Sequence, residues 1–167
     1  MGKKSKEAAG TPALVLLEQA GTAHTVRAYQ HDDAATDFGA EAARELGVSA
    51  ERVFKTLVLD VGNGRDLAVA VVPVNAKLDL KAAAIALGVK KVSLADKHLA
   101  AQRTGYVPGG ISPLGQKKLL PTALDASALR LPSIYVSGGR RGLDVELGGA
   151  DLARLTHATV AELAVRP

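Results

Sequence analysis

The 167-residue chain has neither cysteine nor tryptophan. That excludes disulfides, thiolate metal ligands and a cysteine nucleophile together. Aromatic residues make up only 3% of the chain, so Leu, Val, Ile and Ala must fill any core. Too few rings remain for a platform on which single-stranded nucleic acid could stack. No apolar run approaches the ~20 residues of a membrane helix. His24, His31, His98 and His157 show no ligand spacing, so no metal site is expected. No phosphate-loop or dinucleotide fingerprint is present, and Gly62-Asn63-Gly64 is read as a turn between two strands. No cofactor is expected.

The hydrophobic content is 47%, typical of a packed protein. A single domain of this length buries roughly 68–70% of the surface its unfolded chain exposes. Lys and Arg number 21 against 17 Asp and Glu, a net charge of +4. That balance permits a polyanionic partner without requiring one. Much of the positive charge is paired, as Lys90-Lys91, Lys117-Lys118 and Arg140-Arg141. Solvated surface and phosphate contact both remain open for each pair. Residues 1–10 carry Lys3, Lys4 and Lys6 with no apolar stretch behind them, which reads as a solvated tail and not a signal peptide. The domain is expected over 11–167 and its compartment is expected to be the cytoplasm.

Thr11 and Pro12 open a helix with Leu14, Leu17 and Ala20 as its apolar stripe and Gly21 as its stop. A strand is expected over 24–29 and a helix from Asp37 to Gly47. Residues 53–60 and 67–72 form a hairpin that Pro73 ends. Asp79 starts a helix over 80–87, closed by Gly88. A short strand over 89–94 precedes a helix capped by Asp96. Residues 105–115 are dense in Gly and Pro and read as a loop. Strands are expected over 119–124, 133–136 and 143–147, then short helices over 151–155 and 160–163. Hairpins outnumber βαβ patterns, so the sheet should be mixed or largely antiparallel, with helices outside it.

Lys55 is the strongest anomaly. It shares a strand face with Val53, Leu57 and Leu59, while Phe54, Thr56 and Val58 take the other, and both faces look interior. A buried ammonium is costly without a partner. An edge lysine whose stem reaches water satisfies the pattern, and so does one that awaits an anionic or carbonyl ligand. The run Gly109-Gly110-Ile111-Ser112-Pro113-Leu114-Gly115 is the second feature. Paired glycines let a ligand approach backbone amides, and a plain turn is equally consistent. Ser112 has no nucleophile-elbow context. In 143–147 the apolar residues share one face, which leaves Asp144 and Glu146 on a half-exposed face; Asp144 could still be drawn to a lysine across a site.

Four segments, in order, carry a resemblance: Phe54-Lys55-Thr56-Leu57, Thr104-Gly105-Tyr106, Gly109 through Lys118, and Tyr135-Val136-Ser137-Gly138-Gly139-Arg140-Arg141-Gly142-Leu143. Together they resemble the YbaK family of bacterial trans-editing deacylases, and the resemblance runs from about Thr11 to the last expected helix. It implies a single α/β domain whose mixed, largely antiparallel, barrel-like sheet is surrounded by helices, as in the editing insertion of prolyl-tRNA synthetases. It implies removal of cysteine from mischarged proline tRNA, with prolyl-tRNA synthetase as a further partner and alanine or serine as alternative amino acids. A non-catalytic module that binds tRNA or a synthetase is the remaining alternative. By position, the resemblance makes Lys55 the central lysine and Gly110 the glycine whose backbone faces the substrate carbonyl. It makes Tyr29, Ser137 and Asp144 polar pocket residues, and Thr56, Gly109, Ile111 and Ser112 further substrate contacts. The implied mechanism uses the substrate's own thiol.

Overall fold

The computed structural model describes residues 10–166. The basic tail expected over 1–10 therefore lies outside the described residues except for Gly10. Four helices sit where capping chemistry sets them: α1 (Pro12–Ala20), α2 (Phe38–Leu46), α3 (Leu80–Leu87) and α4 (Lys97–Thr104). Thr11, Asp37, Asp79 and Asp96 each accept a hydrogen bond from the amide three residues on. Gly21, Gly47, Gly88 and Gly105 end the four helices in the left-handed conformation. A fifth helix, α5 (Gly149–Thr156), has no side-chain cap and ends at His157, φ 54°.

The strands are β1 (His24–Ala28), β2 (Phe54–Asp60), β3 (Leu67–Pro73), β4 (Lys77–Leu78), β5 (Ser93–Leu94), β6 (Thr122–Asp125), β7 (Ile134–Arg140), β8 (Leu143–Leu147), β9 (Thr159–Ala161) and β10 (Ala164–Val165). A five-stranded sheet has the order β5-β2-β3-β6-β9, antiparallel through β2 and parallel from β3 to β9. A three-stranded antiparallel sheet has the order β1-β8-β7, and β4 pairs with β10. A parallel bridge from Val53 to Tyr135 joins the two larger sheets. The mixed, mostly antiparallel α/β architecture is as expected, but the sheets do not close into a barrel among the described residues.

The hairpin places Lys55 opposite Val72. Strand β3 is buried along its whole length, as a strand covered on both faces should be. On one face Phe54, Val58, Val69 and Val71 pack with Ile134, Val136, Leu143 and Val145 and with Leu14 and Leu17 of α1. On the other, Leu59, Ala70, Val72 and Ala123 pack with Ala83 and Ala84 of α3 and with Leu163. Each fully buried Leu or Val in such a core is worth about 1.5–3 kcal/mol. The expected apolar stripe of α1 shifts slightly: Ala13 is buried and Ala20 is exposed.

Two expectations for secondary structure are corrected. The strand over 89–94 shrinks to β5, because only Leu59 and Asp60 of β2 offer it partners. The helix expected over 160–163 is not formed. Thr159 and Val160 are β-branched and pair in parallel with β6, and the buried Asp125 carboxylate accepts the Leu163 and Ala164 amides at 2.8 and 3.0 Å. Long-range pairing overrides a local helical pattern here.

Candidate active site

Along β8, Leu143, Val145 and Leu147 enter the core, so Asp144 and Glu146 take the opposite face. Residues directly across an antiparallel ladder share a face. Arg27 and Ser137 lie opposite Asp144, and Tyr135 lies opposite Glu146. Helix α2 covers this face, with Ala42, Ala43 and Leu46 packed against Tyr135 and Val53. The half-exposed setting expected for Asp144 is therefore corrected: it is only 6% exposed. Glu146 stays half-buried, held by Ser133 at 2.6 Å and by Arg27 and Arg52 at 3.6 and 3.5 Å.

A cavity of about 510 Å³ opens where this face, β2 and the N-terminus of α2 converge. Small-molecule sites commonly span ~300–1,000 Å³. Tyr29, Thr36, Asp37, Phe38, Lys55, Thr56, Gly109, Ile111, Ser137 and Asp144 are among its lining residues. Lys55 reaches it because β5 pairs only with the far end of β2, leaving the Lys55 end of that edge unpaired by β5. Among the described residues no carboxylate lies within ion-pair distance of Lys55. Burial draws its pKa below the usual 10.5, and the charge of Asp37 opposes that shift. The pairing of Lys55 with Asp144 that the sequence left open is not formed.

Burial pushes the Asp144 carboxyl up to about 7 from 3.8. Burial, then the Asp144 charge, raises the Tyr29 hydroxyl to about 12. Tyr29 thus remains a neutral donor at physiological pH, fixed at the end of β1 by its amide, which donates to Gly142 O at 2.9 Å. Thr56 Oγ1 is shielded and has no hydrogen-bond partner among the described residues. Ser137 Oγ accepts the Gly139 amide at 3.1 Å, inside a bulge between Ser137 and Arg140.

The glycine loop is ordered by packing. A methyl group on Gly109, whose φ is 81°, would stand 2.8 Å from the Phe38 ring; one on Gly110 would stand 2.8 Å from the Arg140 Cα. Only residues without a side chain let this loop dock on the β7–β8 turn. The Gly110 amide donates to Val107 O at 2.9 Å, within its own turn. Gly110 and Ser112 are also absent from the cavity lining. Ser112 is 0% exposed, and its hydroxyl accepts the Leu114 amide at 3.2 Å. Arg141 clamps the loop: its Nε donates to Pro108 O at 2.8 Å, and its guanidinium lies 4.8 Å from the Phe38 ring centre.

Sequence reasoning missed the segment that walls the cavity before α2. Glu41, 1% exposed, accepts the Asp32 amide at 2.7 Å and meets His31 Nδ1 at 2.8 Å. Burial works against the Glu41 carboxylate, but the Asp32 amide and His31 together hold its pKa below the ordinary value. This pair pins 31–37, and so sets Thr36 and Asp37 against the cavity. The signal was present, because Glu41 falls three residues after Phe38, on the face that carries Ala42.

Residues 31–155 match the aminoacyl-tRNA editing domain. The chain belongs to that family, as a YbaK-type aminoacyl-tRNA deacylase. It is 39% identical over 166 residues to EbsC of Enterococcus faecalis, described as a candidate Cys-tRNA(Pro)/Cys-tRNA(Cys) deacylase, with 98% of each chain covered. Its fold is similar to that of a candidate trans-editing enzyme for prolyl-tRNA synthetase, with a TM-score of 0.79 at 25% identity and 99% of each chain covered. The hypothetical protein APE2540 gives a TM-score of 0.81 at 26% identity, over 92% of this chain and 99% of that one.

Proposed function

We propose that this deacylase removes cysteine from mischarged proline tRNA, in the cavity around Lys55. The observation that carries the reading is Lys55 itself, a half-buried ammonium at the cavity with no carboxylate partner among the described residues. Such a cation is suited to the oxygen of an ester carbonyl as negative charge develops there. The similarity to EbsC, described as a candidate Cys-tRNA(Pro)/Cys-tRNA(Cys) deacylase, supports cysteine as the amino acid.

The lining residues include no cysteine or histidine, and the half-buried Ser137 hydroxyl has no imidazole beside it. The reading therefore makes the substrate its own nucleophile. The cysteine thiol attacks its ester carbonyl, a C–S bond forms, the C–O bond to the ribose breaks, and the thiol proton passes to the departing ribose oxygen. The product is a cyclic thioester that water then opens. Well-oriented intramolecular attack is worth about 7–11 kcal/mol. Lys55 stabilises the oxyanion; Asp144, Tyr29 and Ser137 hold the amino acid's polar groups; Thr56 Oγ1, Gly109 and Ile111 complete the walls. Gly110 and Ser112 act by shaping the loop. Prolyl-tRNA synthetase is the partner from which the charged tRNA would come.

Proline, lacking a thiol, is spared by this route. The direct test compares cysteinyl-tRNA(Pro) with S-methylcysteinyl-tRNA(Pro). Cysteine should be released and S-methylcysteine retained. Equal release of both would sink the thiol mechanism.

A further inference from the structure

A surface beside the cavity carries an excess of one charge. Across 97–143 the sole acidic residue is Asp125, which is 0% exposed and engaged with Ser127 and the Leu163 amide. The same stretch presents Lys117, Lys118, Arg140 and Arg141 to solvent. Among the described residues none of these four pairs with a carboxylate, whereas Arg130 nearby is taken by Glu162.

The fold brings the two basic pairs to opposite flanks of one loop. The Lys117 amide donates to Thr104 O at 3.0 Å, and a methyl group on Gly105 would lie 3.7 Å from the Lys117 side chain. Tyr106, next in sequence, has its ring 2.9 Å from where a methyl group on Gly139 would be, and Arg140 follows. Tyr106 is itself fixed, its hydroxyl donating to Leu114 O at 2.7 Å. The rim then runs into the cavity through Arg141, stacked on Phe38. Val107, 56% exposed, adds an apolar ledge on the same loop.

We infer that this rim, with Lys117, Lys118 and Arg140 as its phosphate contacts, is the surface that takes the acceptor end of a tRNA and leads its 3′ terminus into the Lys55 cavity. The inference rests on the cavity being the deacylation site. Charge complementarity argues for a polyanion, and continuity with the cavity argues for the end of the chain that carries the ester. The loop between the two basic pairs is held in place by hydrogen bonds to Thr104 O, Leu114 O and Pro108 O. Lys90 and Lys91 lie on the segment between α3 and β5, outside this surface.

The test uses uncharged proline tRNA and an acceptor-stem minihelix ending in CCA, with binding followed across a salt series. The triple variant Lys117→Gln, Lys118→Gln, Arg140→Gln should bind both RNAs about tenfold more weakly at fixed salt, with a log–log salt slope shallower by about 2–3. The control Lys90→Gln, Lys91→Gln should bind as the parent does. Unfolding temperatures within a degree or two of one another would show that the variants are folded. Parental affinity and slope in the triple variant overturn the inference. Equal loss in the control overturns it too, since net charge alone would then explain the effect. Loss confined to full-length tRNA, with the minihelix unaffected, overturns the acceptor-end assignment. Uncharged RNA has no ester, so these outcomes stand apart from whether cysteine is the amino acid removed.

Discussion

Lys55 and Asp144 share a cavity but answer to different forces. Lys55 keeps an open side: burial lowers its pKa, the charge of Asp37 opposes that shift, and no carboxylate among the described residues lies within ion-pair distance. Lys55→Met, which retains the packing stem, should lower kcat by about 10²–10³-fold, the usual cost of losing one oxyanion donor. Deacylation kinetics, with thermal melts of the parent and variant proteins as the folding control, measure this. Asp144 is enclosed, and its pKa of about 7 makes its charge a function of physiological pH. If its carboxylate holds the substrate ammonium, kcat/KM should rise with pH through about 7 and lose that inflection in Asp144→Asn. The stability sign runs the other way. The folded protein binds this proton more tightly than the unfolded chain does, so the contribution is fully present below the ordinary 3.8 and lost as pH rises through about 7. Asp144→Asn should therefore melt higher than the parent at pH 8, with the gap closing by pH 4. Thermal melts at the two pH values decide it; an unchanged gap would mean that the charge is not felt.

Elements of this fold are set mostly by their ends, and those ends were legible. Four helices fall between an Asx or Thr cap and a left-handed glycine, which is local chemistry. What could not be read from the sequence depends on partners distant in the chain. The run at 159–165 becomes two strands because β6, β4 and Asp125 meet it. Asp144 looked half-exposed because nothing in 143–147 reveals that α2 lies over it. Gly109 and Gly110 were visible as special, but what a side chain there would meet, the Phe38 ring and the Arg140 backbone, was not. Gly110→Ala should cost about 1–3 kcal/mol, since the nearest atom is backbone and must shift. The Glu41–His31 pin makes a second prediction at this scale. Glu41→Gln removes a buried acceptor and should destabilise by about 1–3 kcal/mol. In the parent this contribution is present above the ordinary carboxylate pKa and lost as pH falls through the lowered value, so the deficit of the variant should shrink in acid. Denaturant unfolding at neutral and acid pH checks both.

At the scale of the whole molecule, two sheets and α2 enclose the cavity, and the glycine loop carries it to a basic rim. The four ordered motifs already gave the family, because they are the segments that build these walls: β2, the loop after α4, and the β7–β8 turn. The amino acid handled is a finer property, set by the few side chains that face the cavity. The most direct measurement is release of the amino acid from proline tRNA charged in turn with cysteine, alanine, serine and proline, using the purified protein. Cysteine should be released fastest and proline retained, with cysteine release slowed about 10²–10³-fold in Lys55→Met. Faster release of alanine or serine, or full activity without Lys55, would contradict the account.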